Sequence, residues 1–420
     1  MLHAATAFLS LSSASSFVPP NPINPSRSTN IRPITNLHRL QLVTDQPSSL
    51  RANSGFSAFK SPADRSIFPK HYSRLDIACK ATKKNNDPAS NCPLDELDQQ
   101  FCDIPGAEKS KKRLGFIDKT RHKMVDNTLK REVYAGFETT EFTLENVLAL
   151  RNRDCRKELS KIPAGISISS VAIGDIQAEW LTPTNTKNLL PKVGLYFFGG
   201  AYLIGTPACH RAITGNLARM ANMKILSSDY RKLPENSYPA ALQDAVSAFD
   251  YLISEGYKSE DIVIMGDSSG GHLALSLALK LKEQHPNQTL GGLVLISPWT
   301  DMTMTSETIA SKSKTDPILP AHRMPELVDR FAGNMKRNDP RISPLHADLK
   351  GLPPMLIHVG ENEILLGDST SLAAKAHAAN VHTEAKVWAD MPHVFHILHD
   401  YLPESKQALE EVAQFIKRRV

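Results

Sequence analysis

The chain has 420 residues, 41% of them hydrophobic and 22% charged, which is enough apolar material for a large folded core and too much for a wholly disordered chain. The net charge is +5, but the excess sits in a tail: Arg27, Arg32, Arg39, Arg51, Lys60, Arg65, Lys70 and Arg74 stand against only Asp45 and Asp64. Such a tail is not a nucleic-acid surface, no stretch interleaves basic and aromatic residues as single-strand binders do, and no apolar run is long enough to cross a membrane. Five cysteines, Cys79, Cys92, Cys102, Cys155 and Cys209, fit neither a zinc spacing nor a C-x-x-C motif, so ordinary reduced thiols are expected.

In chain order, residues 2–11 are short and mildly apolar, and Ala14-Ser15-Ser16 offers small residues ahead of Phe17-Val18-Pro19-Pro20. The stretch up to Arg74 is rich in Ser, Asn, Pro and Arg and poor in acid, the composition of a transit peptide. A signal-like start, then Ala-Ser-Ser-Phe, then an Arg/Ser tail resembles the bipartite presequences of algae with complex plastids. Residues 1–75 are therefore expected to be a disordered targeting presequence addressing a plastid, with the mitochondrion second and an extension without any address as the plain alternative. Residues 76–118 read as linker, with one short helix near 94–101. Helical patterning follows over 119–165, with Phe142, Val147, Leu148 and Leu150 in a stretch running towards Leu159, and Pro163-Ala164-Gly165 ends it. This segment is expected to be a helical cap.

From residue 166 to the end, apolar strands alternate with helices. Strands are expected at 166–171, 176–181, 193–198, 224–228, 262–265, 293–296, 355–359 and 384–388, and helices at 208–221, 240–255 and 407–416. The last helix carries Ala408, Leu409, Val412, Phe415 and Ile416 on one face. Such alternation implies an α/β fold with a mostly parallel sheet covered on both faces. Residues 301–349 break the rhythm, are polar, and are expected to be an insertion capping a site.

One stretch organises the rest. Ile262 to Met265 is a buried-strand pattern, Gly266-Asp267-Ser268-Ser269-Gly270 fits G-x-S-x-G, and the apolar run 273–279 reads as a buried helix. Strand, sharp turn and helix are the context that exposes a nucleophilic serine at a helix N-terminus. Alone, the pentapeptide is weak, because Gly-Ser turns between strand and helix are common. An acyl-transfer serine also needs a base, an acid and oxyanion donors. His393, in a loop after the last strand, is the candidate base, with His396 and His399 as rivals among 15 histidines. Glu363, just after the 355–359 strand, is the candidate acid, with Glu361 and Asp368 as rivals. Phe198-Gly199-Gly200-Ala201-Tyr202 ends a strand with small residues, so the backbone N–H groups of Gly200, Ala201 and Ser269 are the candidate oxyanion donors. The chain order Ser, acid, His is that of α/β hydrolases.

From about Glu141 onward the chain resembles the hormone-sensitive-lipase-like esterases, an α/β-hydrolase branch, with the pattern closest to bacterial short-chain esterases and monoterpene-lactone hydrolases. The resemblance rests on Gly266-Asp267-Ser268-Ser269-Gly270-Gly271, Gly199-Gly200-Ala201-Tyr202, Asp229 to Glu235, Tyr238-Pro239-Ala240-Ala241, Ser297 to Asp301, Leu352-Pro353-Pro354 and Met391 to His396. It implies the α/β-hydrolase fold with a helical cap, Ser268 as nucleophile, Glu363 as triad acid and His393 as base. One position departs from the pattern: the family usually has His before the Gly-Gly of the oxyanion loop, and here it is Phe198. The expected activity is hydrolysis of a small-molecule ester, with short acyl chains or lactones as substrates, through an acyl-enzyme and without cofactor or metal. Two alternatives share the fold: a ligand-binding protein like the plant gibberellin receptor, which lacks the catalytic histidine, and a lyase of the dehydratase kind. Oligomeric state is not encoded in any motif found.

Overall fold

The computed structural model describes residues 107–110, 116–154 and 161–419. The expected presequence and the short helix near 94–101 lie outside the described residues.

A nine-stranded sheet runs through the molecule. Its strands in chain order are β1 (Ala107–Lys109), β2 (Ile166–Ile173), β3 (Ile176–Pro183), β4 (Val193–Phe197), β5 (Lys224–Asp229), β6 (Ile262–Asp267), β7 (Gly292–Ile296), β8 (Met355–Gly360) and β9 (Thr383–Trp388). Their spatial order is β1-β9-β8-β7-β6-β4-β5-β3-β2. The β2–β3 and β3–β5 pairs are antiparallel, and every other pairing is parallel. The sequence explains this division. Every residue of β4, β6, β7 and β8 is buried, so these strands read as unbroken apolar runs covered on both faces. β2 alternates with exposed serines, as an edge hairpin facing water should.

Helices α1 (Phe116–Leu129), α2 (Ala135–Thr139) and α3 (Leu144–Asp154) precede the main sheet. α4 (Arg211–Ala221), α5 (Ala240–Ser254), α6 (Ser269–Gln284), α9 (Leu366–Ala378) and α10 (Pro403–Lys417) follow strands, and α7 (Glu307–Ser311) and α8 (Met324–Ala332) lie between β7 and β8. α10 buries Ala408, Leu409, Val412, Phe415 and Ile416, the face its periodicity marks. α6, buried along most of its length, backs the sheet directly behind the elbow.

Three features differ from the sequence reading. β1 lies inside the stretch read as linker; Ala-Glu-Lys has little strand propensity, but it pairs in parallel with β9 and Lys109 forms an ion pair with Glu361 at 3.1 Å. The helical patterning is interrupted: α1, a π-helical turn (Lys130–Tyr134) and α2 run together, then residues 140–143, Phe142 among them, leave helix before α3, where the Thr143 hydroxyl accepts the Asn146 N–H at 3.3 Å. Cys209, expected as a reduced thiol, is disulfide-bonded.

Two arginines fasten the helical segment to the body. Arg151 on α3 donates to the carbonyls of Leu203 (2.8 Å) and Leu233 and forms a forked pair with Glu235 at 2.7 and 2.9 Å. Arg323 donates to the carbonyls of Glu138 and Thr140, both at 2.9 Å, and covers the Phe142 ring.

Candidate active site

Ser268 sits at the junction of β6 and α6 with φ 53° and ψ −122°, a backbone region that costs a non-glycine residue roughly 1–3 kcal/mol. The turn is held tight enough that two glycines are obligatory. A Cβ on Gly266 would lie 2.2 Å from the Gly270 carbonyl oxygen, and one on Gly270 would lie 2.1 Å from that of Phe197. The Ser268 N–H donates to the Ile296 carbonyl at 2.8 Å, and the Ser268 carbonyl accepts from His272 and Trp299. These bonds, each worth about 1 kcal/mol net, over-determine the strained conformation.

His393 reaches Ser268 from the loop after β9. Its Nε2 is 2.9 Å from the Ser268 Oγ, and its Nδ1 is 2.6 Å from Glu363 Oε2. Glu363 is fully buried, and its other oxygen accepts from the Gly360 N–H and the Ser297 hydroxyl, each at 2.7 Å. Ser297 also accepts the Val394 N–H at 3.2 Å, so one hydroxyl ties the acid loop to the histidine loop. Burial opposes protonation of His393, but the Glu363 charge and hydrogen bond outweigh it, with Asp316 and Asp267 adding, and the pKa moves up from 6.5. An imidazole aligned between a hydroxyl and a buried carboxylate can take the hydroxyl proton and hold the resulting charge.

The rivals lie elsewhere. Glu361 is engaged by Lys109, and Asp368 accepts the N–H groups of Thr300 and Asp301, each at 2.8 Å. His396 stacks on His358, with 3.2 Å between Nε2 and Nδ1, and His399 meets Asp400 at 3.0 Å.

The Phe198–Tyr202 loop lies directly against Ser268: a Cβ on Gly199 would come 2.9 Å from the Ser268 Cβ. Gly200, Ala201 and Tyr202 all have positive φ, at 125°, 55° and 58°. Among the described residues no carbonyl takes the N–H of Gly200 or Ala201. Four contacts hold this strained shape. Asp267 accepts the Gly199 N–H at 3.0 Å; Ser269 Oγ accepts the Tyr202 N–H at 3.2 Å; the Tyr202 carbonyl accepts from Leu233; and the Tyr202 hydroxyl meets His272 Nδ1 at 2.6 Å. His272 donates its Nε2–H to the Ile342 carbonyl, which leaves Nδ1 to accept from the Tyr202 hydroxyl, and burial lowers its pKa to about 4, so it stays neutral.

Phe198 holds its place by packing. Its ring stacks on Tyr230 at 4.6 Å and lies 5.5 Å from the His210 ring, and the Tyr230 hydroxyl donates to the Phe198 carbonyl at 2.6 Å. Sequence reasoning missed the supporting roles of Asp267, Ser297 and His272, and weighed Asp368 only as a rival acid. A polar residue next to each motif was the only available sign. Among the described residues no three His, Cys, Asp or Glu side chains are grouped to hold a metal ion, and no helix is long and apolar enough to cross a membrane.

The family model that matches residues 194–397 describes the alpha/beta hydrolase fold. An esterase of Acinetobacter venetianus is 38% identical over 221 residues, which are 52% of this chain and 73% of that protein. The chain belongs to the α/β-hydrolase family, in its hormone-sensitive-lipase-like branch. An acetyl-hydrolase of Streptomyces hygroscopicus is 32% identical over 59% of this chain and 81% of its own. Among solved structures, an esterase from the bacterial hormone-sensitive lipase family matches with TM-score 0.65 and 31% identity, and EstE5 soaked with p-nitrophenyl butyrate matches with TM-score 0.64 and 33% identity. Each covers 71% of this chain and 98% of the matched one. This family member is a carboxylic ester hydrolase of the serine type.

Proposed function

We propose that Ser268 is the nucleophile, His393 the general base and Glu363 the residue that orients and charges it. His393 takes the Ser268 proton as Oγ attacks the ester carbonyl. The N–H groups of Gly200, Ala201 and Ser269 receive the oxyanion. The protonated imidazole gives its proton to the departing alcohol, leaving an acyl-Ser268 ester. Water, deprotonated by His393, then attacks that ester, and collapse of the second tetrahedral intermediate releases the acid and restores Ser268. The observation that carries this reading is the unbroken line from Ser268 Oγ to Nε2 (2.9 Å) and from Nδ1 to Glu363 (2.6 Å).

Short acyl esters or lactones are the proposed substrates. An acetyl-hydrolase among the relatives and the p-nitrophenyl butyrate soak of EstE5 support the short-acyl side of this reading. Full-length protein should hydrolyse p-nitrophenyl acetate and butyrate faster than the palmitate ester, and Ser268→Ala should abolish all three. A palmitate preference would overturn the chain-length reading, and a fully active Ser268→Ala the mechanism.

The first 75 residues are proposed to carry a plastid address, supported by their acid-poor Arg/Ser composition. Fused to a fluorescent protein in an alga with complex plastids, they should direct it to the plastid; a diffuse cytosolic signal contradicts the proposal.

A further inference from the structure

The segment between β7 and β8 reads as cover, yet two of its buried polar side chains, Asp316 and Thr308, are spent on the turn that carries Glu363. Asp316 is 1% exposed. Its Oδ2 accepts the Ile364 N–H at 2.9 Å, and its Oδ1 accepts the N–H groups of Ile318 and Leu319 at 2.8 and 2.9 Å. From the same segment, Thr308 Oγ1 donates to the Ile364 carbonyl at 2.7 Å and accepts the Gly367 N–H at 2.9 Å. Both backbone polar groups of the residue after Glu363 are therefore held by the insertion.

We propose that Asp316 is a positioning residue for ester hydrolysis: it fixes the Glu363 turn and places a second buried carboxylate against the residue that follows Glu363, the partner of His393. The proposal rests on reading Ser268, His393 and Glu363 as the reacting groups. Both Asp316 oxygens meet N–H donors and neither meets an acceptor, so the hydrogen bonding needs no proton on the carboxyl and fits the ionised form. Burial pushes the Asp316 carboxyl upward, against the pull of His393 and of the three N–H groups. The charged groups that act on His393 are Glu363, Asp316 from the insertion and Asp267 from β6, with Ser268 as its neutral neighbour. Burial, with smaller contributions from the Glu138 and Asp316 charges, pushes up the Tyr134 phenol of the N-terminal helical segment. Thr308 shares the mechanical role and carries no charge, which makes the two contributions separable.

The sign follows from the charge. A carboxylate near an imidazole favours the imidazolium, so Asp316 delays deprotonation of His393 as pH rises. The acid limb of kcat/KM reports that deprotonation in the free enzyme. The test compares full-length wild type, Asp316→Asn and Thr308→Val on p-nitrophenyl acetate across pH 5–9, with Tm measured alongside. Both variants should lose activity at the plateau by roughly 3–30-fold, from a loosened Glu363 turn. Only Asp316→Asn should move the acid limb to lower pH; Thr308→Val should titrate where wild type does. Asp316→Ser, a small uncharged acceptor, carries the same test where the Asn variant does not fold. An unmoved limb in the Asp316 variants, or an equal displacement in Thr308→Val, overturns the proposal. Ser268→Ala in parallel separates the two failures: an active Ser268→Ala overturns the triad reading, whereas an inactive one with an unmoved Asp316 limb overturns the positioning role alone.

Discussion

Two buried histidine sites lie close together in this chain, and they behave in opposite ways. His393 sits between a hydroxyl and a fully buried carboxylate, and its pKa is raised. His396, three residues on, is just as enclosed, but among the described residues its polar partner is another imidazole, His358, at 3.2 Å. Burial lowers the pKa of His358 to about 3 and that of His396 well below 6.5, so the pair stays neutral. A carboxylate does approach His358, but Glu411 Oε2 is 3.9 Å from Nε2 and is already paired with Lys386 at 2.9 Å. What separates a base from a packed ring is therefore one short hydrogen bond to a buried, otherwise unneutralised carboxylate.

Breaking the reacting side of this comparison should have the largest effects. Ser268→Ala and His393→Ala should each lower kcat on p-nitrophenyl butyrate by about 10⁴-fold or more, with Tm little changed. Glu363→Gln removes the charge while keeping the shape; kcat should fall by about 10³–10⁴-fold and the acid limb should move to lower pH. Gly199→Ala forces a Cβ to within 2.3 Å of Asp267 Oδ2, so the oxyanion loop must shift. A loss of about 10²-fold in kcat with a smaller change in KM is expected, and an unchanged kcat would show that the loop tolerates displacement. The smallest effect belongs to the neutral pair. His358→Phe combined with His396→Leu should change kcat by less than about threefold, because two polar partners are removed together and no buried group loses its partner. A large loss in that double variant would make the second site part of the reaction. In wild type, the kcat/KM acid limb should lie above the ordinary histidine value of 6.5, with activity lost as pH falls through it.

The legible parts of this architecture were those with a local cause. Fully buried strands wrote continuous apolar runs into the sequence, and the elbow wrote its glycines, because the neighbouring carbonyls leave no room for a Cβ. From spacing alone the acid was a choice among Glu361, Glu363 and Asp368, and the resemblance singled out Glu363; in the fold what sets Glu363 apart includes a hydroxyl 66 residues away, on Ser297. β1 was not legible at all: Ala-Glu-Lys becomes a strand because the β9 edge offers it partners. The break after Thr139 was not legible within the helical patterning, because it depends on capping at Thr143 rather than on Gly or Pro. The pairing of His358 with His396 has no local signature, being made by strand β8 and the short 3-10 turn Phe395–Leu398, which meet only in the fold.

The most direct test of the central claim is covalent. Full-length protein treated with a p-nitrophenyl alkylphosphonate should release one equivalent of p-nitrophenol and gain one phosphonyl group, located by peptide mass spectrometry on Ser268, and the reaction should slow severely in His393→Ala. Modification at another residue, or an unaltered labelling rate without the His393 imidazole, would contradict the account.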